Sequence, residues 1–218
     1  MEWYSKLEGL NPREGKRLEG LARQAGPGPI VEIGSWKGKS TIYLAKGSLR
    51  GKKVTVYAID PHTGSAEHKK QYGKVWTFTE FKNNISRAKV GSVVKPVLLF
   101  STEATKKIKA NPSLVFIDGA HDYKSVKQDF NAWFPRLVDG GYIAFHDTIL
   151  WDGPRDLTKE KIIGSRNFRN VGFVDSLLWA QKVKSNTALD RLRNRLVLLT
   201  KDLYEMSYKA YSLVRYGK

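Results

Sequence analysis

Residues 31–40 read VEIGSWKGKS, and with Ile30 they form a short apolar run broken by Gly34 and followed by Lys39, Ser40 and Thr41. A β-branched run that stops at a glycine and passes into helix-forming sequence reads as a buried parallel strand, a tight turn and a helix start. The glycines allow backbone to approach a ligand closely, and the helix N-terminus offers unpaired amides to it. The same unit recurs along the chain. Apolar runs at 54–59, 93–100, 114–117 and 142–145 alternate with segments of helical length at 39–45, 79–88, 103–108 and 123–137. In the last of these, Val126, Phe130, Trp133, Phe134 and Leu137 recur at steps of three and four, the pattern of a helix with one face on a sheet.

Strict alternation of this kind implies the α/β class: a doubly wound, mostly parallel sheet of seven strands, with ligands bound beyond the carboxyl ends of the strands near the switch in strand order. After Asp147 the alternation fades. Residues 148–170 are rich in Gly, Pro and charge, while 171–174 and 177–183, joined by Asp175 and Ser176, read as an antiparallel hairpin on the sheet edge. From Thr187 onward Leu189, Leu192, Leu196, Leu199, Leu203, Met206, Ala210 and Leu213 form a heptad stripe on one long helix. The expected division is a catalytic domain over 1–185 and an amphipathic helix over 186–218. That helix packs on its own domain, self-associates into a homo-oligomer, or lies on a membrane surface through a basic face of Arg191, Arg193, Arg195, Lys201, Lys209 and Arg215.

Composition narrows the classes further. The 218 residues carry 38 Lys plus Arg against 21 Asp plus Glu, a net charge of +17, which attracts anionic partners without naming one. Cysteine is absent, so disulfides, thiolate metal sites and cysteine nucleophiles are excluded, and a reducing cytoplasmic location is expected. No apolar run approaches the roughly 20 residues of a membrane span.

Three ligand classes use a glycine loop of this kind. A triphosphate loop needs GxxxxGK[ST], and GSWKGKS is one residue short between its glycines, although LVFID at 114–118 imitates the companion motif. A dinucleotide fingerprint needs GxGxxG, and the position two after Gly34 is Trp36. The third pattern is an acid, an apolar residue, Gly, three residues and Gly, with a second acid, Asp60, ending the next strand. It resembles the first two motifs of class I S-adenosylmethionine-dependent methyltransferases, a Rossmann-like family. The resemblance implies that Gly34, Ser35 and Gly38 pass beside the methionine part of the cofactor. It further implies that Glu32 approaches the ammonium end, Asp60 takes the ribose hydroxyls, and Ser101 and Thr102 meet the adenine edge. A tight turn with Asp60 and Ser101 as helix caps explains the same residues structurally.

Strand four ends in FIDGAHDY and strand five in GGYIAFHDT, so acids and histidines gather at neighbouring strand ends. Residues 118–147 are similar to natural-product sugar O-methyltransferases of the macrocin type, and the resemblance spans about residues 28–150. It implies that Asp118 and Asp147 hold a divalent ion, magnesium or manganese, that Asp118 also borders the cofactor, and that His121 is the general base. His146 stands where such relatives carry a second acid and joins the expected metal ligands, a substitution that suits manganese, iron or zinc better than magnesium. A hydroxyl loses its proton too reluctantly to attack a sulfonium unaided, so a base or metal is chemically needed. His62 and His68 fall in the loop after Asp60, where a surface role is expected.

Methylation of a base nitrogen usually comes with an NPPY-like sequence after strand four; here that position reads DGAH. The expected acceptor is therefore a hydroxyl on a saccharide, glycolipid or small molecule, anionic if the basic charge is used. The alternatives are nucleic-acid methylation, nucleotide binding or hydrolysis through GSWKGKS, and a non-catalytic anion-binding module.

Overall fold

The computed structural model describes residues 2–65, 69–71 and 73–216, apart from the side chains of Ser212 and of residues 214–216. His68 and the side chain of Arg215 lie outside the described residues. After a single 3-10 turn at Trp3–Lys6 the chain forms α1 (Pro12–Arg23), β1 (Ile30–Ile33), α2 (Lys39–Arg50), β2 (Val56–Ile59) and α3 (Phe78–Arg87). It continues through β3 (Val94–Val97), α4 (Ser101–Lys107), β4 (Leu114–Ile117), α5 (Tyr123–Trp133), β5 (Tyr142–Phe145) and α6 (Asp152–Ile162). The hairpin strands β6 (Phe168–Val174) and β7 (Leu177–Lys182) and the 29-residue helix α7 (Ala188–Tyr216) complete it.

The seven strands lie in the order β3-β2-β1-β4-β5-β7-β6. The first five run parallel, with Ile33 of β1 level with Ile59 of β2 and with Ile117 of β4. β7 runs antiparallel to both β5 and β6. The order turns back between β1 and β4, so the loops after those two strands diverge to opposite faces and leave a crevice. This is the doubly wound α/β fold expected from the alternation, including the C-terminal hairpin and helix.

Successive residues of each strand feed opposite faces of the sheet. Ile30, Leu114 and Phe116 join Leu18, Leu21, Ile42, Leu44 and Phe81 from α1, α2 and α3 in one core layer. Val31, Ile33, Val115 and Ile117 join Val126, Phe130, Trp133 and Ile162 from α5 and α6 in the other. Among the described residues, two helices escaped the sequence pattern. α1 begins with a capping box in which the Asn11 carboxamide accepts from the amides of Arg13 and Glu14, while Glu14 accepts from the Asn11 amide. α6 lies inside the stretch expected to be loop, with Gly153 and Pro154 in its first turn, where the backbone amides have no helical carbonyl to donate to in any case. Its Leu157 and Ile162 are fully buried.

α1 and α2 cross at very short range through Gly47, where a Cβ would stand 2.2 Å from the carbonyl oxygen of Glu19 and 2.7 Å from the Ala22 Cβ. Helix α7 rests on the domain through Asn194, Leu198 and Lys201, all buried. Asn194 donates to the Phe168 carbonyl at 2.9 Å and the Lys201 ammonium to the Thr148 carbonyl at 2.6 Å. No helix among the described residues is long and apolar enough to cross a membrane.

The contact at Gly47 gives a direct test of this packing. Gly47→Val is expected to cost about 2–3 kcal/mol by overpacking. Gly20→Ala, placed on α1 with open space around its Cβ, is expected to gain about 0.5–1 kcal/mol from helix propensity. Paired thermal melts check both, and equal melting temperatures would refute the close crossing.

Candidate active site

A cavity of about 430 Å³ opens at the carboxyl ends of β1, β2 and β4, at the reversal of strand order. It is lined by Gly34, Asp60, Ser101, Thr102 and Asp118 from the expected set, and further by Ile59, Leu99, Phe100, Gly119, Gln128 and Asp129. Gly34 sits at φ +85, and a Cβ there would stand 2.1 Å from the Asp118 carbonyl oxygen. Any side chain would wedge the glycine loop away from the DGAH loop, so the glycine is required by the close approach of the two strand ends.

Asp60 ties the loop from the other side. Its Oδ2 accepts from the amides of Ser35 at 3.0 Å and Trp36 at 2.8 Å, and its Oδ1 from the amide of His62 at 2.6 Å. The carboxylate thus organises the turn while its side faces the cavity. Ser35 and Gly38 stay outside the lining: Ser35 is buried, and Gly38 caps α2 at φ +88. Glu32 is likewise behind the wall, with no exposure. The Thr41 hydroxyl donates to its Oε2 at 2.5 Å. Burial pushes its carboxyl up to about 8, against the lowering by the Ser40 and Thr41 hydroxyls, so it is uncharged at neutral pH.

The lining carries four acids, Asp60, Glu103, Asp118 and Asp129, and among the described residues no Lys or Arg. In a chain of net charge +17 this is a reversal of sign. Lys39, which would grip a triphosphate, points elsewhere: its ammonium donates to the Leu7 carbonyl. Asp129 lies on α5 with Ser125 and Gln128, one helical face turned to the cavity. Burial raises its carboxyl to about 6, opposed by its bond to Ser101. Ser101 also accepts from the Trp133 indole at 2.9 Å, and Phe100, not Ser101, occupies the cap position of α4.

The acid and histidine group stands at the ends of β4 and β5. Asp118, His121 and Asp147 each offer a ligand atom, and the three atoms lie within 4.8 Å of one another. His121 Nε2 is 3.0 Å from Asp147 Oδ2, and its ring stacks on Trp151 at 4.5 Å. Asp147 adopts a left-handed backbone, φ +57, which is uncommon for a residue with a side chain. Burial works against the Asp147 charge, but hydrogen bonds from His121 and His146 outweigh it and hold the carboxyl well below the usual range.

His146 takes a different place from the one expected. Its Nδ1 lies 3.0 Å from Asp118 Oδ1 and 3.4 Å from Asp147 Oδ2, while Nε2 lies 3.3 Å from Glu14 Oε2. Both ring nitrogens are thus engaged by carboxylates, so His146 buttresses the acids, and the group that could hold a metal ion contains His121 in its stead. Burial favours the neutral ring, yet the Asp118 charge and the bonds to Asp118, Asp147 and Glu14 prevail and raise its pKa well above 6.5. Asp118 is shifted upward by burial, with His146 opposing.

Glu14 is the neighbour of this cluster that sequence reading missed. It is 3% exposed, and besides His146 and the Asn11 amide it accepts from the Ser176 amide at 2.8 Å. Nothing local in the sequence marked its helix or its reach across to the end of β5. His62, expected at the surface, is fully buried beside Phe78 and Phe81, with Nδ1 2.9 Å from the Thr77 hydroxyl. Its backbone is left-handed, at φ +57.

Comparison with known proteins agrees with this architecture. A family described as a methyltransferase domain matches residues 31–148. The protein y4gI of Sinorhizobium fredii is 30% identical over 124 residues, which cover 56% of this chain and only 13% of that protein. The O-methyltransferase NovP has the same fold, with a TM-score of 0.62 at 20% identity over 78% of this chain and 80% of NovP. TomG, an O-methyltransferase from Streptomyces achromogenes solved in complex with SAM, gives a TM-score of 0.61 at 18% identity over 80% and 82%. With the family match covering more than half of its length and the crevice at the expected strand ends, the chain belongs to the methyltransferase-domain family.

Proposed function

We propose that this domain transfers the methyl group of S-adenosylmethionine to a hydroxyl of a saccharide or other small acceptor. The observation that carries the cofactor assignment is the acid-lined cavity of a basic protein. S-adenosylmethionine bears an ammonium, a sulfonium and a ribose diol but no phosphate, so carboxylates suit it and a triphosphate would be repelled. Asp118 and Asp60 are the lining acids at the β4 and β2 ends, and Leu99 and Phe100 give the apolar wall that an adenine ring needs. TomG's complex with SAM on a similar fold supports the same reading.

S-adenosylmethionine, when bound, would supply an electrophilic methyl group and leave as a neutral thioether; His121 would take the proton of the acceptor hydroxyl as its oxygen accepts that methyl. Asp147, 3.0 Å from Nε2, orients that imidazole and stabilises the imidazolium it becomes. Trp151 fixes the ring plane by stacking. A second reading rests on the ligand cluster: Asp118, His121 and Asp147 would hold a divalent ion. Two carboxylates and an imidazole fit manganese, iron or zinc at least as well as magnesium. Such an ion would supply Lewis acidity that lowers the hydroxyl pKa.

Calorimetry is expected to show binding of S-adenosylmethionine and none of a magnesium-triphosphate; the opposite pair of results would overturn the assignment. His121→Ala and Asp147→Ala are expected to lower turnover by about 10²–10⁴-fold while cofactor affinity changes little. Full activity in either variant removes that residue from the reaction. Loss of activity with a chelator and its recovery with manganese would select the metal reading, and indifference to the chelator the base reading.

The Asp129 carboxyl sets a pH dependence. With its pKa raised to about 6 it is neutral at pH 5 and charged at pH 7, so affinity for the cationic cofactor is expected to rise across that interval by at most roughly tenfold. Asp129→Asn should flatten the rise; an unchanged slope would show that Asp129 does not sense the ligand.

A further inference from the structure

Helix α7 has two faces, and among the described residues one of them packs on the domain while the other carries a row of exposed leucines. Asn194, Leu198, Lys201 and Glu205 are buried against the domain. Leu189, Leu192 and Leu196 are each 54% exposed, and Leu199, Leu203, Met206 and Leu213 are between 58% and 67% exposed. These residues, with Ala210, occupy every a and d position of a heptad pattern that continues without a polar interruption from 189 to 213. We propose that this stripe is the seam of a homodimer, in which α7 of one copy packs against α7 of a second copy as a two-stranded coiled coil.

The spacing and width of the stripe select this occupant. Steps of three and four average 3.5 residues, the repeat of a helix that meets another helix. A helix lying on a membrane needs a much broader apolar sector. Here the positions that flank the stripe are Arg193, Thr200 and Ser207 on one side and Arg195, Asp202 and Lys209 on the other. The area also fits. The exposed side chains present on the order of 700 Å² of apolar surface, more than the patch of a typical monomer and close to the roughly 800 Å² per partner of a stable interface. A 29-residue helix is about 43 Å long, which accommodates the whole seam.

The domain needs none of these leucines for its own core, so they can be changed without unfolding it. Sedimentation of the full chain is expected to give twice 24.7 kDa, and Leu196→Glu with Leu199→Glu to give the single-chain mass with the thermal melt of the domain retained. Leu196→Met with Leu199→Met is expected to remain dimeric. A wild-type chain that sediments as a monomer, or a dimer that survives the glutamate pair, overturns the proposal. So does a monomer that floats with phosphatidylserine-containing vesicles and loses that binding with the glutamate pair, which would make the stripe a membrane face.

Discussion

Everything at the crevice depends on how closely the ends of β1 and β4 approach. The absence of a side chain at Gly34 leaves room for the Asp118 carbonyl, which a Cβ would strike at 2.1 Å. Because the two loops touch there, the glycine turn and the DGAH turn share one rim instead of facing across open solvent. Asp60 then fastens the turn by accepting from the Ser35 and Trp36 amides. Backbone, not side chain, meets backbone where the two loops touch.

The second organising element is His146. An imidazolium between Asp118, Asp147 and Glu14 neutralises part of a concentration of negative charge that would otherwise be costly so far from water. It also joins parts of the fold distant in sequence. Glu14 belongs to α1 and grips the β6–β7 turn through the Ser176 amide. The position of Asp118 is therefore linked through one ring to the first helix and the last hairpin. Burial and pairing compete at each of these groups, and the outcome differs: pairing wins at His146 and Asp147, burial at Asp118.

The parallel strands were legible because each is a short apolar run on a sheet covered on both faces, and such runs are hard to write any other way. β1, β4 and β5 match their apolar runs end for end, whereas β2 and β3 are shorter than the runs at 54–59 and 93–100. β3 lies at the sheet edge with Pro96 in it, so fewer of its residues pair. α6 was hidden because Gly153 and Pro154 read as loop, although both are tolerated in a first turn. Of the candidate site, Asp60, Asp118, His121 and Asp147 were visible as acids and a histidine at strand ends. Glu14 and Asp129 were not. Their roles arise from tertiary approach between elements more than a hundred residues apart or from the orientation of one helical face, and neither leaves a local pattern.

The change of sign between surface and cavity has a kinetic consequence. A positive exterior draws anions in and slows the arrival of cations, while the acids that line the cavity favour a cation over an anion there. Salt screens the exterior more effectively than the partly enclosed interior. Raising ionic strength would then speed the entry of a cationic ligand and slow that of an anionic one. Two ligands of opposite charge would respond to the medium in opposite directions.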